Sequence, residues 1–228
     1  MDISHYDSNY YRDKESVPEH LARTIAGVLN SRHAKNVLEV GCGTGFLLRF
    51  LEKLGFKCFG CDISFFAASA CGQINASALQ LPFRDGSMDA LISISMVEHL
   101  KYEEALRFLQ EAKRVLKKNG LLFLVTPNNR SVRSLIFGAK KVHSGDPTHI
   151  FFYSPFSMAR VLSRSGFGSI HSLPAFPPDC AIDSWPLPLF LRRTKNRFLR
   201  DAVNWIMVSS PMGLLRDSFW ITALKKDN

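Results

Sequence analysis

The sequence predicts an α/β fold: a doubly wound, seven-stranded, mostly parallel sheet with helices on both faces and an insert before the last strand. Three observations predict it. Short apolar runs alternate with stretches of helical period from about residue 36 to residue 172, the pattern that places a parallel sheet between two helical layers. The first run ends in three glycines at every second position, Gly41, Gly43 and Gly45, and a helix opens directly behind them. The second run closes on an acid, Asp62, and completes a β-α-β unit whose strands must be parallel with a right-handed crossover.

Taken in order, apolar residues at 17, 21, 25 and 28/29 predict a helix over about 17–32, after a polar start rich in tyrosine. Asn36 to Val40 is the first strand, followed by the glycine turn and a helix through Leu54. Phe56 to Cys61 is the second strand; a helix near Ser64 to Cys71, a short strand around Gln73 to Ala76 and a turn over Pro82 to Ser87 follow. Asp89 to Ser95 makes the fourth strand. The next helix, Tyr102 to Lys117, is expected to stop at Asn119-Gly120. Leu121 to Thr126 is the fifth strand, ended by Pro127. A helix near Pro155 to Ser165, with proline at its first position, precedes a sixth strand at Phe167 to Ser172. Ser218 to Leu224 closes the sheet. The chain divides into an N-terminal cap (1–35), a core (36–172), an insert (173–217) and the last strand (218–228) of one domain.

At 228 residues, with 46% hydrophobic composition and near-zero mean hydropathy, the chain can bury a sizeable core. No apolar run approaches the roughly 20 residues of a membrane-spanning helix, and the polar N-terminus shows no signal peptide, so a cytoplasmic protein is expected. Net charge is +9, which suits either an anionic partner or simple solubility. Five cysteines are present. Cys58 and Cys61, three apart in one strand, point to opposite faces, so buried free thiols are expected rather than zinc or a redox pair.

Open α/β sheets bind ligands beyond the carboxyl ends of their strands. Dinucleotide turns need Gly-x-Gly-x-x-Gly so that a diphosphate reaches the helix N-terminus; here the spacing is Gly-x-Gly-x-Gly, behind Glu39. A carboxylate there repels diphosphate and attracts an ammonium. Asp62 can accept two hydrogen bonds from a ribose diol; the alternative is a solvated loop acid. An oxidoreductase on a similar sheet is disfavoured by the glycine spacing.

VLEVGCGTGF, Val37 to Phe46, closely resembles motif I of class I S-adenosylmethionine (SAM)-dependent methyltransferases. ASALQLPFRDGSMD, Ala76 to Asp89, resembles the adenine-side segment of methyltransferase types 11 and 23, with Ser77 where those families carry Asp. Ser95-Met-Val-Glu98-His99 resembles their Glu-His element, and EEALRFLQEAKRVLKKNG matches the scaffold segment beyond it. The resemblance is continuous from Asn36 to Asn128. It implies SAM as cofactor and S-adenosylhomocysteine as product. By position, the cofactor residues are Tyr11, Glu39, Gly41, Cys42, Gly43, Thr44, Gly45, Asp62, Ile63, Ser77, Ala78, Leu79, Ser95 and Met96. The ubiquinone-pathway O-methyltransferases carry an extra acid three residues before the Glu, and that group can bind a divalent metal; Ser95 stands there, so no metal is expected.

VHSGDPTHIFF, Val142 to Phe152, resembles a type 23 segment, and His149 is the leading candidate for a base, with Asp146 orienting it. A neutral imidazole can take the acceptor's proton as the methyl arrives; the other reading is that His149 only bonds its loop backbone. Glu98 and His99 either line the acceptor pocket or cap a helix. Tyr10 and Tyr11 either cover the cofactor or anchor the first helix. The Pro-Pro-aromatic tetrapeptide of amine-directed base methyltransferases and the thiolate motif of C5-cytosine enzymes are both missing, so no nucleic-acid acceptor is expected. The resemblance therefore implies methyl transfer to a small molecule, with a hydroxyl of a sugar, lipid-linked or secondary-metabolite substrate foremost. The alternative is a SAM-binding partner or regulatory protein without transfer activity. Residues 190–208 mix five basic residues with aromatics, which suits peripheral contact with an anionic membrane or a lid over the pocket.

Overall fold

The computed structural model describes residues 6–12, 17–138, 146–173, 196, 198–199 and 217–226. Its strands are β1 (Asn36–Val40), β2 (Lys57–Asp62), β3 (Ile74–Asn75), β4 (Met88–Ile94), β5 (Leu116–Pro127), β6 (Phe167–Leu173) and β7 (Ser218–Lys225). They form one sheet in the order β3-β2-β1-β4-β5-β7-β6. The first five in that order run parallel, while β7 is antiparallel to both β5 and β6. The helices are α1 (Ser8–Arg12), α2 (Glu19–Ser31), α3 (Phe46–Lys53), α4 (Phe65–Ala70), α5 (Tyr102–Val115), α6 (Val132–Phe137) and α7 (Pro155–Arg164).

Strand alternation divides the core into two layers. Leu38, Leu91, Leu122 and Leu124 point to one face, where Phe108 and Ala112 of α5 and Met158 and Leu162 of α7 cover them. Val37, Ala90, Ile92, Phe123 and Val125 point to the other, against Leu21, Ile25 and Leu29 of α2 and Leu47 and Leu51 of α3. Both faces of the central strands are therefore dry, which is why those strands read as continuous apolar runs. Cys58 and Cys61 pack into opposite layers, and both are free thiols. Burial pushes each thiol up to about 12.

Elements of long period fall where the sequence places them, and α7 starts as expected: Ser154 Oγ accepts the Ser157 N–H at 3.1 Å, with Pro155 at the first helical position. One boundary differs. The helix expected to run to Lys117 ends at Val115, and Leu116 already pairs with Met88. Leu116 is fully buried, so its burial in the sheet ends the helix. Lys117 then bonds Asp89 of β4 at 2.6 Å. Asn119 (φ 55°) and Gly120 form a bulge inside β5, after which pairing resumes at Leu121. Asn119-Gly120 is a strand irregularity rather than a helix stop. The short helices α1 and α6 lie in stretches the sequence reads as loops.

The loop between β3 and β4 is tied to α5 by one side chain. The Arg114 guanidinium donates to the carbonyls of Leu81 and Phe83, each at 2.8 Å, and to the carboxylates of Glu111 and Asp85. Glu111 also accepts the Leu81 N–H at 2.7 Å. These bonds hold the chain that carries Ser77 to Leu79 at the sheet edge. Among the described residues, no helix is long and apolar enough to cross a membrane. Most of the insert, including Cys180 and most of 190–208, lies outside the described residues, although Phe198 is described and exposed.

Arg114→Ala is expected to lower stability by about 2 kcal/mol, since several charge-assisted bonds are lost but the side chain is partly solvated. A thermal melt should drop by about 4–8 °C. A change under about 1 °C would show that apolar packing alone holds the loop.

Candidate functional site

The carboxyl ends of β1, β2 and β4 open into a cavity of about 970 Å³, closed above by the N-terminal segment and by the 146–149 loop. Each sequence-nominated residue except Gly45 lines it.

Glu39 stands one residue before the end of β1, 3% exposed, and its Oε2 has no hydrogen-bond partner among the described residues. Burial first, and then the neighbouring Asp62 charge, raise its carboxyl well above the usual range. The chain then turns through Gly41 at φ 76°, where a Cβ would lie 2.8 Å from Met96 Cγ. This close approach, together with the left-handed backbone, demands glycine. Gly45 has another role. It precedes α3 at φ 77°, and a Cβ there would meet Cys71 at 2.6 Å; it packs the turn on α4 instead of facing the cavity.

Asp62 ends β2 at 4% exposure and is no solvated loop acid. Oδ2 accepts the Gly43 N–H at 2.8 Å; Oδ1 accepts the Ser64 N–H at 2.9 Å and the Tyr11 hydroxyl at 3.2 Å. Burial raises its pKa, and these donors oppose the rise. One carboxylate thus joins the glycine turn, the start of α4 and the N-terminal cap. Ser64 Oγ donates to the Tyr6 carbonyl at 2.6 Å, a second tie to that cap. Ile63, Ser77, Ala78, Leu79, Ser95 and Met96 continue the wall. Ser77 Oγ accepts the Leu79 N–H at 3.2 Å, which engages the hydroxyl in its own turn. Ser95 holds φ 48°, directing the chain from β4 into a short 3-10 turn, Val97–His99.

That turn brings Glu98 and His99 into the opposite end of the cavity, both buried. They cap no helix: Lys101 precedes α5. Thr126, at the end of β5, donates to Glu98 Oε2 at 2.9 Å. The Glu98 carbonyl accepts the N–H groups of Ile150 and Phe151, which docks the following loop. His149 therefore arrives beside His99, ring centroids 4.8 Å apart. His99 Nδ1 meets Thr148 Oγ1 at 2.9 Å and the Thr148 carbonyl at 3.2 Å. The Asp146 carboxylate accepts from Thr148 Oγ1, from the Thr148 N–H and from Tyr10, whose hydroxyl lies 3.1 Å away. Asp146 reaches His99 through Thr148, a connection sequence spacing did not suggest.

The cavity's charges are lopsided. Glu39, Asp62, Glu98, Glu104 and Asp146 line it together with His20, His99 and His149, and no Lys or Arg is among the described lining residues. In a chain of net charge +9, the described basic residues stand elsewhere. Such a pocket favours cationic ligands and disfavours diphosphates. Sequence reasoning missed Thr126, Thr148 and Tyr6. Thr126 was within reach, because it ends a strand on the ligand-binding side of the sheet; Tyr6 and Thr148 sit in loops with no periodic signal.

Residues 38–124 match the family profile described as a methyltransferase domain. A protein of Mycobacterium tuberculosis described as a probable SAM-dependent methyltransferase is 29% identical over 135 residues, 56% of this chain and 45% of that protein. A tRNA (carboxymethyluridine(34)-5-O)-methyltransferase of Xenopus tropicalis is 33% identical over 122 residues, 51% of this chain and 18% of that one. The chain thus spans less than half the length of these curated relatives. Among solved structures, a SAM-dependent methyltransferase from Archaeoglobus fulgidus superposes with a TM-score of 0.64 at 19% identity, covering 96% of this chain and 100% of the other. The order of the strands, the glycine turn and the profile match agree: residues 38–124 match a methyltransferase domain, and the sheet around them has the fold of SAM-dependent methyltransferases.

Proposed function

We propose that this protein binds SAM between Glu39 and Leu79 and transfers its methyl group to a hydroxyl of a small molecule held by Glu98, His99 and His149. The observation that carries the reading is the cavity wall: five carboxylates, three imidazoles and no Lys or Arg among the described lining residues. Bound there, the cofactor supplies a methyl already activated on a sulfonium. Glu39 offers its unpartnered oxygen to the ammonium of the methionine end. Asp62 accepts from the ribose diol in place of, or beside, Tyr11. The apolar side chains of Ile63 and Leu79 flank the adenine, and Ser77 faces its edge. Most of the acceleration comes from holding the acceptor oxygen in line and excluding water, tasks that fall to the tyrosine cap and the 146–149 loop. His149 or His99 receives the hydroxyl proton as the new bond forms.

A second reading, an RNA acceptor, is favoured by the tRNA methyltransferase among the relatives and by the net charge. The acidic wall weighs against seating a phosphate backbone inside the cavity, though not against one lying outside it.

Calorimetric titration with S-adenosylhomocysteine is expected to give micromolar binding to the wild type. Asp62→Ala should weaken it about 100-fold, the loss of two hydrogen bonds to a charged acceptor, with circular dichroism checking the fold. No binding to the folded wild type overturns the proposal. Transfer of labelled methyl from SAM to a panel of small-molecule hydroxyls, run beside bulk tRNA, separates the two acceptor classes.

Glu39 generates a pH prediction. Burial raises its pKa in the free protein, and an ammonium beside it favours the ionised form, so binding releases a proton wherever free Glu39 is protonated. Affinity should therefore rise with pH through that raised pKa and level off above it. Calorimetry in two buffers of different ionisation heat should detect the released proton. In Glu39→Gln the release should vanish and binding should weaken about tenfold or more. An unchanged proton count in that variant would place the coupling on another group.

A further inference from the structure

The acceptor end of the cavity contains a group of three ligating side chains that the sequence argument against a metal did not consider. Ser95, three residues before Glu98, offers no carboxylate. The fold instead supplies a ligand from fifty residues downstream. Glu98, His99 and His149 each present one donor atom, and all these atoms lie within 4.8 Å of one another. Donors bound about 2.0–2.2 Å from a common ion stand about 3–3.5 Å apart, so a small rotation of the His149 side chain, with its loop still docked on the Glu98 carbonyl, completes the set.

The surroundings already orient these donors. A carbonyl can only accept, so the contact of the Thr148 carbonyl with His99 Nδ1 at 3.2 Å puts the proton on Nδ1. Thr148 Oγ1, which donates to Asp146, likewise accepts from Nδ1. The neutral ring then carries its lone pair on Nε2. Thr126 donates to Glu98 Oε2 and fixes the carboxylate plane. A backbone carbonyl on the far nitrogen of a histidine and a hydroxyl on the far oxygen of a carboxylate are the outer contacts that hold metal ligands in place.

From this geometry we propose that Glu98, His99 and His149 form a site for one divalent transition-metal ion. Two imidazoles and one carboxylate select Mn²⁺, Fe²⁺, Co²⁺ or Zn²⁺ over Mg²⁺ and Ca²⁺, which prefer oxygen donors throughout. The buried Glu98 charge, in a cavity with no Lys or Arg among its described lining residues, gains a cation by it. Three protein ligands leave coordination positions open toward the cavity. Resting on the methyl-transfer reading, an acceptor hydroxyl takes one of these; the ion lowers its pKa and aims its oxygen, and the proton leaves to solvent, because in the metal-bound site His99 and His149 give their lone pairs to the ion instead of acting as the base.

The test uses tag-free, chelator-stripped protein titrated with Co²⁺. Visible d–d absorbance is recorded, and elemental analysis follows dialysis. The proposal expects one Co²⁺ per chain in the wild type and at least tenfold weaker binding in both His149→Ala and Glu98→Gln. His149 lies in a half-buried loop, so its variant is the one expected to keep the fold; S-adenosylhomocysteine binding checks each protein. Absence of stoichiometric Co²⁺ in a wild type that binds S-adenosylhomocysteine overturns the metal site and leaves the cofactor reading intact. Binding that survives in both variants also overturns it. Stoichiometric Co²⁺ lost in both variants of a protein that ignores S-adenosylhomocysteine supports the site while removing the methyl-transfer reading.

Discussion

Two carboxylates buried at the ends of neighbouring parallel strands are the constraint on which the rest of the site depends. Moving a charged carboxylate out of water costs several kcal/mol unless bonds or a counter-charge compensate. Asp62 is compensated from within: Gly43, Ser64 and Tyr11 all donate to it. Glu39 is compensated only in part, and its raised pKa records the deficit. The protein therefore holds an acid whose ionised form a cation placed beside it would stabilise. A buried, unsatisfied group of this kind, set where function lies, is the usual place for a fold to depart from local optimum.

The same carboxylates explain why the N-terminal segment folds back over the sheet. It has no long apolar period and little core of its own; among the described residues, Tyr6, Tyr11 and Ala67 form a small cluster with Tyr10 and Ile63 packed against it. Its position is fixed by Tyr11 on Asp62, by the Tyr6 carbonyl under Ser64, and by Tyr10 on Asp146. Burial raises the Tyr6 hydroxyl to about 12, so it stays neutral as a donor throughout the physiological range. Through Tyr11 and Tyr10 this one segment touches both Asp62 and the 146–149 loop. A ligand that displaced Tyr11 from Asp62 would act on that loop as well.

How far the sequence could be read depended on the range of the signal. The sheet, its helices and the line of residues from Glu39 to Met96 were legible, because strand period, glycine spacing and an acid at a strand end are local features. The bulge at Asn119-Gly120 was not, because the helix boundary is set by burial of Leu116 opposite Met88, a contact between elements. The packing of Gly45 was not legible either, because its neighbour Cys71 lies at the end of α4, a contact between elements. The roles of Thr126 and Thr148 exist only once β5 and the 146–149 loop meet the Glu98 turn.

That turn carries the argument about the acceptor. Its three residues are too few to be stable alone, and it is held from three directions: Thr126 on the Glu98 carboxylate, Thr148 on the His99 ring, and the Ile150 and Phe151 N–H groups on the Glu98 carbonyl. The backbone bonds mean that the loop bearing His149 cannot shift without breaking the turn that bears Glu98 and His99. Side chains from two distant stretches, Glu98 and His99 on one and His149 on the other, are thus fixed to one rigid strand end, the support that a precisely aligned site requires. Glu39 and Asp62 rest on the sheet itself, whereas the Glu98 end of the cavity rests on this single docked loop, so substitutions within residues 146–152 can reshape that end without touching Glu39 or Asp62.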